Sequence, residues 1–258
     1  MPIPNFGDKY DADALFSPEE AVSEQGDGGG LPDVPPAVIL GFEDVLYESV
    51  VERSDESVNL VRSQEVHLLN DDVGFIGDFG IGAPVTATIT ENVIAAGAEV
   101  VCILGGCGCL QRSIPPNDAI LPTTAIRDEG VSYHYLPPEE EVRATPNLVD
   151  ALDESLSAAG VETHRGPTWT TSAMYRETVP EIEQYAEEGV VSLGMESAAM
   201  LAVAAYRGAD AAVVHEIGDH LTPDEWESGV EREETFAELL DPTVEALREF
   251  VAADSGKN

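Results

Sequence analysis

Glu196 sits in SLGMESAAMLAVAAYRG (192–208), a run otherwise made mostly of Ala, Met, Leu and Val. The run predicts one helix, with Glu196 and Ser197 near its start and no polar face from Met195 to Ala205. A helix that is apolar all round is buried on every side. A carboxylate buried there is costly unless it has a partner, a shifted pKa or a ligand. Asp219 is the second acid of interest: it follows the apolar run ADAAVVHEIG (209–218) and precedes His220. Partial burial would raise its pKa and suit it to general-acid work, while a turn or helix cap at DHLTPDEW (219–226) explains it equally. His134 and His215 have the chemistry for proton transfer, although isolated histidines also serve as structural residues.

Glycines mark two further places. GDFGIGAP (77–84) sets Gly80 and Gly82 between a strand and a helix start, where backbone N–H groups can approach an anion or a sugar hydroxyl. Its spacing matches neither G-x-G-x-x-G nor a P-loop, and a tight strand-to-helix turn accounts for the same residues. Gly105 and Gly106, in LGGCGCL (104–110), have the same two readings: a ligand cradle or close packing. Trp169 and Tyr175, in GPTWTTSAMYRET (166–178), offer a stacking platform for a flat ligand or, alternatively, core aromatics. Cys102, Cys107 and Cys109 have no second Cys or His cluster at ligand spacing, so they read as buried reduced thiols ahead of a metal site. No metal is expected.

The elements that must position these residues alternate. Strands are predicted at 37–42, 73–79, 99–106, 118–126, 161–166, 190–193 and 209–218. Helices are predicted at 43–53, 83–97, 177–189 and from Thr145–Pro146 to Gly160. Two more, separated near Asp241–Pro242, close the chain. Such alternation predicts an α/β fold, a three-layer α/β/α sandwich around a mixed, mostly parallel sheet. Ligands in such sheets gather at the C-terminal strand ends. Residues 17–36, SPEEAVSEQGDGGGLPDVPP, are rich in Gly, Pro and acid and predict an exposed loop. Residues 1–36 are therefore expected as an N-terminal segment and 37–258 as one domain.

The chain of 258 residues carries 50 acidic and 12 basic side chains, a net charge of −38. The acids are spread along a sequence that is 43% hydrophobic, so disorder does not fit. The composition suits a folded, halophilic protein with a hydrated acidic surface. It carries no basic stripe, which argues against nucleic acid as partner. No run reaches the roughly 18 apolar residues that cross a bilayer, and the N-terminus does not read as a signal peptide. A soluble, cytoplasmic protein without a membrane partner is expected.

Taken together, the motifs resemble the nucleoside phosphorylase and nucleosidase superfamily, which includes purine nucleoside phosphorylase, uridine phosphorylase and methylthioadenosine nucleosidase. The similarity rests on GIGAP (80–84), VCILGGCGCLQ (101–111), TTAIRDEGVSYHYLPPE (123–139), TSAMYRE (171–177), GMESAAM (194–200) and GDH (218–220). It implies cleavage of a nucleoside's N-glycosidic bond, with inorganic phosphate as co-substrate, no cofactor, and a homo-oligomer as the working unit, dimer or hexamer. By the same resemblance Glu196 accepts the ribose hydroxyls, Met195 packs beneath the sugar, and Asp219 protonates a purine at N7. Met174, Tyr175, Trp169 and Arg176 would line the base; Gly80, Gly82, Gly105, Gly106 and Arg127 would frame the nucleophile.

Departures from the family pattern carry their own implications. GFEDVLY (41–47) lacks the arginine of the usual Gly-Asp-Pro-x-x-Arg turn. A second phosphate-binding arginine falls at Ile103, and the Ser or Thr three residues later at Gly106. The Gln and Arg that read uracil in uridine phosphorylases fall at Thr178 and Pro180, which leaves pyrimidine specificity unsupported, while Asp219, which uridine phosphorylases generally lack, tilts the resemblance toward purine. The first histidine is His67, so no N-terminal histidine is present to lend to a neighbour. Arg112, Arg127 or Arg176 would have to replace the lost cations. Hydrolysis by water, or nucleoside binding without turnover, are the alternatives.

Overall fold

Runs of aliphatic and β-branched residues build the sheet of the computed structural model, which describes residues 3–4, 6, 9–10, 12–25, 30–61, 64–222, 225–228 and 232–255. In chain order its elements begin with α1 (Pro18–Gln25), β1 (Ala37–Gly41) and α2 (Asp44–Arg53). Next come β2 (Ser57–Val61), β3 (Gln64–Leu68), β4 (Val73–Ile76), α3 (Ala83–Ala95), β5 (Val100–Cys109) and β6 (Ala119–Asp128). A 3-10 turn at Ser132–His134 leads to β7 (Val142–Arg143), α4 (Pro146–Ala158) and β8 (Thr163–Thr171). A second 3-10 turn at Met174–Arg176 precedes α5 (Val179–Glu187), β9 (Ser192–Gly194), α6 (Ser197–Arg207), β10 (Asp210–Thr222), β11 (Glu225–Ser228) and α7 (Arg232–Ser255).

The result is a mixed sheet with helices on both sides, the predicted α/β class. Its long registers are parallel, β5 with β10 and β6 with β8. The strand order is β11-β10-β6-β8-β9-β5-β1-β4-β3-β2, and β10 also pairs with β5. That extra pairing closes β5, β10, β6, β8 and β9 into a ring, with Cys107, Cys109, Ile120 and Ile217 in one small apolar cluster. The main core joins Ile39, Leu40, Phe75, Ile103 and Leu104 of the strands to Met200 and Leu201 of α6 and Leu240 and Leu247 of α7.

Three local expectations are corrected, and one hairpin is added. Within 17–36, Pro18–Gln25 is helical, with Val22 fully buried in the main core and α1 packed on α3. Ser17 and Glu20 cap it reciprocally: Glu20 N–H donates to Ser17 Oγ, and Ser17 N–H to the Glu20 carboxylate. The glycines that suggested a loop fall partly at 26–29, outside the described residues. The stretch 192–208 is not one helix, because Ser192–Gly194 pairs with β5 and β8 before α6 begins at Ser197. The C-terminal segment is one helix that carries Pro242 inside it. Thr243 Oγ donates to the Leu239 carbonyl at 2.7 Å, and Phe236, Leu240 and Leu247 stay buried on both sides of the proline. Packing thus outweighs a lost helical hydrogen bond. Finally, β2 and β3 form an antiparallel hairpin that the sequence reading left unassigned.

Strands near the site also run past their predicted ends. β5 continues to Cys109, β8 to Thr171 and β10 to Thr222, and the C-terminal parts of β5 and β10 line one cavity.

Candidate functional site

The chain leaves β9 at Gly194 and enters α6 at Ser197, which puts Glu196 at the N-cap with φ −123° and ψ −39°. Its carboxylate does not cap its own helix. Gly82 N–H donates to Oε1 at 2.7 Å, and Met195 N–H donates to Oε2 at 2.9 Å. Gly82 is itself the N-cap of α3, with φ 99° and ψ 162°, backbone space that side-chain-bearing residues rarely enter. The carboxylate therefore lies at the positive end of a helix as well as on a backbone donor. Burial still raises the Glu196 pKa, opposed by the two backbone hydrogen bonds and reinforced by the nearby Glu43 carboxylate.

Glu196 opens onto a cavity of about 400 Å³. Met195, Gly105 and Gly106 line it, as do Met174 and Tyr175 from the second 3-10 turn and Asp219 from β10. The register of β10 against β5 shifts by one residue between Ile217 and Asp219, a bulge of the kind that re-aims a side chain at a sheet end. Six expected site residues thus meet around Glu196.

His215 also lines the cavity but is buried and held neutral, its pKa lowered to about 3 by burial. Its ring nitrogens lie 3.1 Å from Ser192 Oγ and 3.3 Å from Ser197 Oγ, which makes it a brace between β10 and the start of α6. His134 lies elsewhere, 2.8 Å from Lys9 Nζ. The thiols are buried along β5, and burial pushes Cys102 up to about 12.

Several expected positions do not reach the cavity wall. Arg127 is buried, and its guanidinium donates to Ser132 Oγ and to the carbonyls of Leu136, Pro137 and Glu140. With its donors spent on that loop, it pins the segment after β6 and is not placed to meet a nucleophile. Trp169 is a core aromatic: its ring packs on Tyr185 with centroids 4.7 Å apart, and its Nε1–H donates to Asp128. Arg176 is exposed outside the wall. Arg112 donates to Thr222 Oγ and is likewise outside it. Gly80 borders the turn without lining the cavity, and Gly82 contributes through Glu196. Thr178 caps α5, donating its N–H to Glu181 at 3.0 Å, and Pro180 lies in the first turn.

Three residues were missed. Glu43, the second residue after β1, places a carboxylate oxygen 2.7 Å from where a Cβ on Gly106 would stand. A serine or threonine there would have to displace that carboxylate. Trp226, on β11, is 68% exposed and faces the same cavity as Tyr175, which is 95% exposed. Glu177 also lines it, and burial first, then the charges of Asp219 and Glu181, raises its pKa to about 7. Glu43 stands at a C-terminal strand end, and Trp226 is an aromatic in a polar, acidic run. Both signals were present in the sequence.

Among the described residues the cavity wall carries Glu43, Glu177, Glu196 and Asp219 but no lysine or arginine. It can grip hydroxyls, hold a flat ring between exposed aromatics and supply a proton.

Known proteins resemble this chain in sequence and in fold. Guanosine phosphorylase from Halorubrum lacusprofundi is 26% identical over 196 residues, 73% of this chain and 80% of that protein. A DeoD-type purine nucleoside phosphorylase from Bacillus cytotoxicus is 25% identical over 169 residues, 65% of this chain and 72% of that protein. The fold is that of the crystal structure of purine nucleoside phosphorylase from Toxoplasma gondii in complex with immucillin-H. The TM-score is 0.73 at 21% identity, covering 84% of this chain and 92% of that one. The sequence pattern of the phosphorylase superfamily matches residues 43–252. That span holds every residue of the cavity wall except Phe42, and the chain belongs to the phosphorylase superfamily.

Proposed function

We propose that the protein cleaves the N-glycosidic bond of a purine nucleoside by phosphorolysis, releasing the free base and ribose 1-phosphate. The observation that carries this reading is Glu196, a carboxylate with each oxygen fixed by a backbone N–H, in one cavity with Asp219. Held in that way, it accepts hydrogen bonds from the 2′- and 3′-hydroxyls, with Met195 beneath the sugar. Its grip strengthens as C1′ takes on oxocarbenium character, which lowers the barrier without tighter ground-state binding. The base lies between Tyr175 and Trp226, beside Met174. As the C1′–N9 bond breaks, its electron pair leaves with the base, N7 takes a proton from the Asp219 end, and a phosphate oxygen bonds to C1′.

A second reading, water as the nucleophile, is favoured by one feature. The Gly105–Gly106 end of the cavity faces Glu43 and has no lysine or arginine among the described residues. A phosphate dianion loses charge-assisted hydrogen bonds there, whereas water does not need them. Chromatography of products from purine and pyrimidine nucleosides, in concentrated KCl with and without phosphate, decides between them. Ribose 1-phosphate formed only with phosphate supports phosphorolysis, and free ribose in both conditions supports hydrolysis. Glu196→Gln is expected to lower kcat/KM about 100- to 1,000-fold in either case. Free base from no nucleoside would overturn the cleavage reading.

A further inference from the structure

We propose that a second cavity, apart from the one around Glu196, binds a nucleoside monophosphate: a flat ring with hydrogen-bonding edges joined to a phosphomonoester. This cavity, about 930 Å³, lies between the N-terminal segment, α1, α3, the loop that holds His134 and the end of α6. It shares no lining residue with the Glu196 cavity. α3 and α6 pack on each other, and their N-terminal ends hold Glu196. Asn92, Tyr206 and Arg207, toward their other ends, line the second cavity instead. What binds there is independent of the cleavage reading.

Among 12 basic residues in a chain with 50 acids, Lys9 and Arg207 both fall on this wall, together with His134. Its carboxylates are Asp13 and Glu91. Arg207 is committed to Glu91, with contacts of 2.6 and 3.1 Å. Lys9 Nζ instead lies 2.8 Å from His134 Nδ1 and makes no ion pair with a carboxylate among the described residues. An ammonium only donates, so His134 accepts at Nδ1 and, when neutral, carries its proton on Nε2. Burial and then the Lys9 charge favour that neutral form. Two N–H groups of Lys9 and one of His134 remain for an anion, and such charge-assisted hydrogen bonds are the strong ones.

The rest of the wall suits a ring. Tyr135 and Tyr206 meet edge to face with centroids 5.6 Å apart, and Phe6 and Phe16 add exposed rings. Exposed aromatics on an otherwise acidic surface offer area for a flat group to cover. Gln64 supplies a polar edge: its buried Oε1 accepts no hydrogen bond among the described residues. An acceptor left so is costly, and a small turn about the last side-chain torsion would let it meet a ring N–H or an exocyclic amine. Phosphate alone would leave the rings and Gln64 uncovered, and a neutral nucleoside would leave Lys9 and His134 unused. The Glu196 cavity is the poorer host for such an anion, because four carboxylates line it without lysine or arginine among the described residues.

Calorimetric titration of the whole chain in concentrated KCl tests the site. The probes are adenosine, guanosine and uridine 5′-monophosphates, with ribose 5-phosphate and inorganic phosphate for comparison. At least one nucleotide is expected to bind once per chain and to raise the melting temperature. Ribose 5-phosphate, which lacks the base, should bind about 10-fold more weakly or less well still. Lys9→Gln should weaken the nucleotide about 10- to 100-fold. Thr88→Tyr, which puts a ring into the cavity from an exposed position on α3, should abolish binding. Both variants should melt like the wild type without ligand; if Thr88→Tyr does not, Lys9→Gln decides alone. Glu196→Gln should leave nucleotide affinity unchanged. No binding of any of the three nucleotides at millimolar concentration overturns the site, as does equal binding of ribose 5-phosphate. Affinity lost in Glu196→Gln but kept in Lys9→Gln would place the ligand in the other cavity and overturn it too.

Discussion

At the scale of single residues, the site depends on a glycine as much as on its carboxylates. Gly82 combines φ 99° with ψ 162° and aims its N–H at Glu196. Alanine in that backbone conformation costs about 1–3 kcal/mol. Gly82→Ala should therefore lower the denaturation midpoint and, by moving the N–H, lower activity as well. If the activity loss passes through Glu196, the double variant with Glu196→Gln will be no slower than Glu196→Gln alone; additive losses would contradict that. His215 makes a second residue-level prediction. Its folded pKa of about 3 lies below the ordinary 6.5, so its contribution is complete above 6.5 and fades as pH falls toward 3. One proton is taken up on unfolding across that window, or about 1.4 kcal/mol per pH unit. His215→Asn removes this proton from the balance. Urea unfolding of the two proteins from neutral to acid pH should give slopes that differ by one proton, whatever the variant loses in absolute stability by giving up its serine contacts.

At the scale of elements, α5 holds the segment that carries Met174, Tyr175 and Glu177. Thr178 and Glu181 form a capping box at its start. Thr178→Ala should cost about 1 kcal/mol of stability. Because that segment lines the base end of the cavity, KM should rise more than kcat falls; an unchanged KM would mean the segment is held by something else. The same elements show what could be read from sequence and why. Strand and helix alternation was legible because apolar periodicity records burial directly, Glu196 and Asp219 stood out as acids beside apolar runs, and Met195 followed only from the family resemblance. The α1 capping box was equally present in Ser17-Pro18-Glu19-Glu20, yet the Gly/Pro-rich surroundings masked it. Pro242 misled for the opposite reason: local propensity says stop, and packing on both sides of the proline keeps the helix whole. Glu177 and Trp226 could not be placed in one cavity with Asp219, since their meeting depends on the bulge in β10 and on the pairing of β11 with β10. Arg127 and Trp169 show the limit of carrying a role by position alone. Each lies near the site in sequence, but each spends its polar groups on the scaffold.

At the scale of the whole molecule, 50 acidic against 12 basic residues act on both stability and catalysis. Like charges repel most when the chain is compact, so screening favours the folded state. Between about 0.1 M and about 1 M KCl the screening length falls from about 10 Å to about 3 Å. The melting temperature should climb across that range, and sucrose, which is excluded from the surface without screening charge, should reproduce only part of the gain. The same field bears on the nucleophile. A phosphate dianion must approach a chain of charge −38 and enter a cavity whose wall carries Glu43, Glu177, Glu196 and Asp219 without lysine or arginine among the described residues. Screening should ease that approach, so under phosphorolysis kcat/KM for phosphate, corrected for the folded fraction, rises with KCl. Chloride that competed for a dedicated anion site would push it the other way. Water bears no charge to repel, and under hydrolysis the corrected rate should neither depend on phosphate nor rise with salt. A salt series of initial rates at fixed nucleoside, with phosphate varied at each KCl concentration, therefore tells whether the acidic surface governs the chemistry or only the fold.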